Sequence, residues 1–210
     1  QIQSYEGFSY KEIVKYIESE LMIDKLESSS EDSFYLAKKL VDINDQYSTD
    51  NNRTISVINT NEFNNVLVPS INNSFQMFSK FLDNNFEYKV LFNLQLIPSF
   101  LGESKDLSLM VSYILEFLEK TGNNILLKNE FNKLKTSINQ TVLNYKYGSN
   151  YIEKREYYLG QFKAFGIWTP SSKIIYDQRK FEFQNSNFYK NTAGWNMFLK
   201  SIYEQKLLIF

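Results

Sequence analysis

Tyr158 to Pro170 reads YLGQFKAFGIWTP, and the rest of the fold is read outward from this stretch. Phe162, Ala164, Gly166 and Trp168 alternate with Gln161, Lys163, Phe165, Ile167 and Thr169, which is the period-two signature of a strand. Both phases carry apolar residues, so the strand needs neighbours on both faces. Pro170 removes the next ladder donor and ends it. After a polar loop, Phe188 to Gln205 (FYKNTAGWNMFLKSIYEQ) sets Trp195, Phe198, Leu199, Ile202 and Tyr203 at helical spacing, with Asn191 or Thr192 as cap. A terminal amphipathic helix is expected there. Trp168 should face the layer between sheet and helices, and Trp195 should anchor the last helix.

Upstream, the pattern is mostly helical. Ile13, Val14, Ile17 and Leu21 predict a helix over about 9–22, and Leu36, Leu40 and Ile43 a second over 31–46 with Ser30 as cap. Thr54 to Asn59 predicts a short strand. Asn61 is read as the cap of a helix carrying Phe63 to Leu82, kinked or broken at Pro69. Phe86 to Leu101 fits a short strand or an irregular aromatic segment. Helices over 104–120 and 123–144, separated by Thr121-Gly122, predict an antiparallel hairpin packed through Leu107, Val111, Ile114 and Leu118 and through Ile125, Phe131, Leu134 and Ile138.

Apolar content of 43% suffices for a core in a chain of 210 residues. A net charge of -1, with both signs interspersed, gives no global attraction to nucleic acid or an anionic membrane. No apolar run is long enough to span a bilayer. With no cysteine there is no disulfide framework.

The strand ending in Gly166-Ile167-Trp168-Thr169-Pro170, followed by the Phe188 to Gln205 helix, resembles the C-terminal end of clostripain-family cysteine endopeptidases. Three earlier blocks keep the family's order: Tyr5 to Tyr10 (YEGFSY), Phe34 to Tyr47 (FYLAKKLVDINDQY) and Thr54 to Asn65 (TISVINTNEFNN). The resemblance implies an α/β fold: the helix-rich C-terminal portion of a caspase-like α/β/α sandwich. Strands 54–59 and 158–169 would complete a mostly parallel sheet beside a helical subdomain. The corresponding segments are 1–100 (C-terminal half of the sandwich), 101–157 (helical hairpin) and 158–210 (last strand and terminal helix).

The resemblance also implies cleavage after Arg or Lys in protein or peptide substrates, and a secreted, periplasmic or cell-surface location. The family's catalytic His and Cys lie upstream of the point Gln1 occupies, and this chain contains neither residue. It cannot run Cys-His chemistry by itself. Gln1 opens the sequence without an initiator methionine, which favours a processed or trimmed polypeptide, whose partner is the N-terminal catalytic half of the same precursor, over a relative that has lost the peptidase half. This chain would supply scaffold and part of the specificity pocket, where Glu6, with Gln3 and Tyr5, could meet a basic substrate side chain. The alternative is a non-catalytic secreted or surface module that binds a glycan or a protein.

Other candidate chemistry is sparse. Asp106, Glu116 and Glu119, or Glu153 and Glu156, could form acid/base pairs or metal ligands, but their spacing suits solvated faces better. No catalytic residue and no metal ligand is assigned, and no cofactor is indicated. The aromatic clusters Phe181-Phe183 and Phe188-Tyr189 suit packing better than a carbohydrate platform.

Overall fold

The computed structural model describes residues 54–97, 99, 103–122, 124–149 and 162–204, and before them positions 37, 38, 41, 42, 45 and 51. The chain divides into two compact units, 1–39 and 40–210. Of the first, the described residues are Ala37 and Lys38, both helical. The helix expected over 9–22, most of that over 31–46, and Tyr158 to Gln161 lie outside the described residues.

The second unit is helix-rich α/β. Strand β1 (Thr54–Ile58) pairs antiparallel with β3 (Val142–Tyr147), from Thr54 opposite Tyr147 to Ile58 opposite Val142, with an irregularity between Val57 and Ile58. Strand β2 (Ser104–Asp106) pairs antiparallel with β4 (Gly166–Trp168). The two strands expected to complete one mostly parallel sheet therefore belong to separate two-stranded sheets, each with its own antiparallel partner.

Local chemistry sets the element boundaries. Asn59, not Asn61, caps the first helical turn (Thr60–Glu62), accepting from the N–H groups of Asn61 and Glu62. A π-helical turn, Phe63–Leu67, leads into α1 (Val68–Asn84), which begins with Pro69 in its first turn, where a missing N–H costs nothing. The segment 86–101, ambiguous in sequence, contains α2 (Phe86–Leu91) and a 3₁₀ turn, Leu94–Leu96. The helix expected from Ser104 starts at Leu107, because Asp106 is its cap and the residues before it are strand; it is α3 (Leu107–Lys120). Its hairpin partner α4 (Ile125–Thr141) starts from Asn124 and gives way to β3, which occupies what was read as the end of that helix. Gly122, at φ +75°, makes the turn between them.

The supposed polar loop after Pro170 is α5 (Lys173–Gln184), capped by Ser172. It is followed by α6 (Asn187–Asn191) and α7 (Ala193–Tyr203). The hydroxyl of Thr192 is not used as a cap: it donates to Phe188 O at 2.8 Å.

One core draws buried side chains from 67–97, 107–142 and 167–203. Its centre is aromatic: Phe75 meets Trp195 edge-to-face at 4.6 Å and Phe131 at 5.5 Å, and Phe78 meets Phe92 at 5.0 Å. The crossing of α1 and α7 is close. Asn72 Oδ1 accepts the Gly194 N–H at 2.7 Å, and a methyl on Gly194 would stand 1.9 Å from Asn72 O. Trp195 and Trp168 are both buried, as expected. Trp168 lies flat on Phe183 of α5 at 3.9 Å and so packs on a helix absent from the sequence reading. No helix among the described residues is long and apolar enough to cross a membrane.

Candidate functional site

A groove of about 510 Å³ opens where the end of α1 and the start of α2 face the α3–α4 turn. Its floor is the stacked pair Phe81 and Tyr88, 5.4 Å apart and 12° from parallel. Asn85 lies between them in sequence, and Thr121, Gly122 and Asn124 form the opposite wall. Ile125 and Leu126 complete the rim, 64% and 73% exposed, because they occupy the first turn of α4 before it meets the core. Ile125, read in sequence as part of the hairpin's packed stripe, is therefore a surface residue. Phe86, Val90 and Leu91 of α2 are exposed as well.

The polar side chains of this groove are largely engaged in holding the backbone. Asn85 Nδ2 donates to Phe81 O at 2.7 Å, and Thr121 Oγ1 to Phe117 O at 2.8 Å. Asn124 Oδ1 accepts the Leu127 N–H at 3.0 Å as the cap of α4. Several charges on the neighbouring elements are paired: Lys89 with Asp83 at 2.8 Å, Lys120 with Glu116 at 2.7 Å and Lys128 with Glu119 at 4.0 Å. The groove offers a visitor apolar and aromatic surface more than hydrogen bonds or net charge.

A second feature lies at the β2–α3 junction. Asp106, placed in sequence on a solvated face, is fully buried. The strand preceding it turns the carboxylate inward, where Oδ1 accepts the Leu109 N–H and Oδ2 accepts those of Lys163 and Phe165, at 3.0, 3.1 and 3.1 Å. Burial pushes its pKa up to about 6 against the pull of these backbone donors. Its neighbour Lys105 is also buried, with Nζ donating to Ile97 O at 2.6 Å. Desolvation lowers the Lys105 pKa, and Glu103 opposes the shift. Glu103 itself accepts from the N–H and hydroxyl of Ser171.

Gln3, Tyr5 and Glu6, the residues expected in a substrate pocket, lie outside the described residues, as do Glu153 and Glu156. Glu116 and Glu119 are on the surface of α3, in ion pairs with lysines, and Asp106 does not join them. Of the aromatic clusters, Phe183 packs on Trp168 and Tyr189 receives the Trp195 indole N–H at 3.0 Å, whereas Phe181 is exposed. Among the described residues no group of three His, Cys, Asp or Glu side chains is placed to hold a metal ion. Sequence reading misses the groove because it assigns Ile125 to the packed stripe of Phe131, Leu134 and Ile138, whereas Leu127 is the residue in phase with that stripe and is the buried one. The setting of Asp106 is hard to see in sequence because an Asp directly before the apolar run from Leu107 reads equally as helix interior or as its cap. No family model, curated protein or solved structure matches this chain.

Proposed function

We propose that this chain is a non-catalytic protein-binding module whose ligand is an apolar segment of another protein, received between Phe81, Tyr88, Ile125 and Leu126. The observation that carries this reading is the groove's chemistry: an aromatic floor and exposed aliphatic rim, with Asn85, Thr121 and Asn124 committed to backbone bonds. A glycan site needs amides and hydroxyls left over for sugar hydroxyls, so a protein ligand is favoured over the glycan alternative. The test is selection from a random peptide library displayed on phage, followed by binding measurements on Leu126→Asp. Both rim side chains are exposed, so this variant should fold with an unchanged melting temperature. Apolar peptides that bind wild type and lose at least tenfold in affinity on the variant support the reading. Peptides that are polar, or indifferent to the substitution, overturn it.

A second reading rests on the ordered sequence blocks that end at Trp168-Thr169-Pro170 and the α7 residues Trp195, Phe198 and Tyr203. In it, this chain is the scaffold of a clostripain-like cysteine endopeptidase specific for Arg or Lys, secreted, periplasmic or on the cell surface. The dyad and the rest of a caspase-like parallel sheet would belong to the N-terminal half, since both strand pairs described are antiparallel. The chain alone would then be inert on Arg and Lys amide substrates and become active only with that half added. Hydrolysis by the rigorously purified chain would sink this division of labour.

A further inference from the structure

Helix α2 forms one wall of the groove and carries a second apolar surface of its own. Tyr88 belongs to the groove floor, whereas Phe86 and Val90, one turn apart, are 66% and 64% exposed, and Leu91 is 64% exposed. Glu87 falls among them, so positions 86, 87, 90 and 91 share one outward face. Apolar side chains held in water by so short a helix are the kind of surface that a partner covers. A hole and a knob are thus built from the same element.

We infer that the chain pairs with a second copy of itself, each α2 lying in the groove of the other. The inference rests on the reading of the groove as a protein-binding site, and it names that site's occupant. A helix received by a groove needs apolar anchors one turn apart, which Phe86 and Val90 supply. Charge is matched as well. Glu87 makes no ion pair among the described residues, and Lys128, one turn past the groove residue Asn124, meets Glu119 Oε1 only at 4.0 Å, so each copy has an acid on its knob and a loosely held cation beside its hole.

The area also suits a second copy. Phe86, Val90, Leu91, Ile125 and Leu126 together expose on the order of 600 Å², most of the roughly 800 Å² that each partner brings to a stable interface, before any polar rim is counted. Because knob and hole lie on one chain, the exchange is reciprocal, and a two-fold arrangement closes at a dimer. Both grooves are then filled, so pairing and the binding of any other apolar segment exclude each other.

Sedimentation of the full chain tests the pairing. Wild type should be a dimer at about 100 μM, since interfaces of this size reach at least micromolar affinity. Val90→Asp, exposed and outside the groove lining, should keep the melting temperature and weaken the dimer about tenfold or more, as should Leu126→Asp. Only Val90→Asp should still bind apolar peptides selected on the groove, and at least as tightly as wild type, because no second copy competes. A wild-type monomer at that concentration, or a dimer indifferent to Val90→Asp, overturns the inference; peptides that still bind such a monomer leave the protein-binding reading standing. Should Val90→Asp not fold, disulfide trapping decides, since the chain has no cysteine of its own. Val90→Cys mixed with Leu126→Cys should cross-link 90 to 126 in preference to like with like, and the absence of that preference overturns the pairing.

Discussion

Trp195 shows how much one side chain can carry here. It is fully buried against Phe75 and Phe198, and its indole N–H is satisfied by the Tyr189 hydroxyl. Trp195→Ala should cost about 3–5 kcal/mol and lower the melting temperature accordingly, because neither the cavity nor the orphaned Tyr189 hydroxyl is easily filled. Its neighbour Gly194 fails in the opposite direction. A methyl there runs into backbone, Asn72 O and Gln76 N, not into a side chain that can swing away. Gly194→Ala should therefore push α1 and α7 apart, costing at least the 1–3 kcal/mol typical of overpacking, seen as a lower urea midpoint with an unchanged slope. A melt unaffected by either change would contradict the packing described for α7.

At the scale of elements, the ends matter more than the middles. Asn59 satisfies two orphan donors, so Asn59→Ala should cost about 1 kcal/mol. Asn61→Ala removes only an exposed bond to Asn65 and should leave the thermal midpoint nearly unmoved. Equal effects from the two substitutions would show that the cap is misassigned. The same distinction explains what was legible in the sequence. The periodicity of Leu107 to Leu118, Phe131 to Ile138 and Trp195 to Tyr203 announced three helices and most of their buried faces, because burial on one face imposes that spacing. Where a helix yields to a strand was not legible: Val142 to Tyr147 is apolar enough to continue α4, and only pairing with β1, far upstream in sequence, decides otherwise. Lys173 to Gln184 reads as a loop in sequence because Tyr176 is its one buried side chain, too little to impose a periodicity.

For the molecule as a whole, one buried carboxylate should leave a mark on stability. Asp106 is raised from 3.8 to about 6 in the folded chain, so the folded state holds the extra proton. Its contribution is therefore fully present below about pH 4 and lost as pH rises through about 6, a change of roughly 3 kcal/mol across that window. Urea unfolding of wild type against Asp106→Asn should isolate this slope, and a slope common to both would assign it elsewhere. Sequence could name Asp106 but not its burial, since strand β2 places the carboxylate through its partner β4, sixty residues on. The groove was illegible for a related reason: Phe81, Tyr88 and Leu126 meet only once α1 and the α3–α4 turn are packed.

The two tryptophans also make the protein its own optical instrument. Trp168 lies in β4, three residues beyond Phe165, stacked on Phe183, whereas Trp195 is enclosed in the α1–α7 core with its N–H bonded. Replacing Trp195 by Phe leaves a single emitter in β4 beside Phe183, and replacing Trp168 by Phe leaves one that senses only the helical core. Spectra from the two singly labelled chains would separate motion near the β2–β4 pair from global unfolding, with no dye attached.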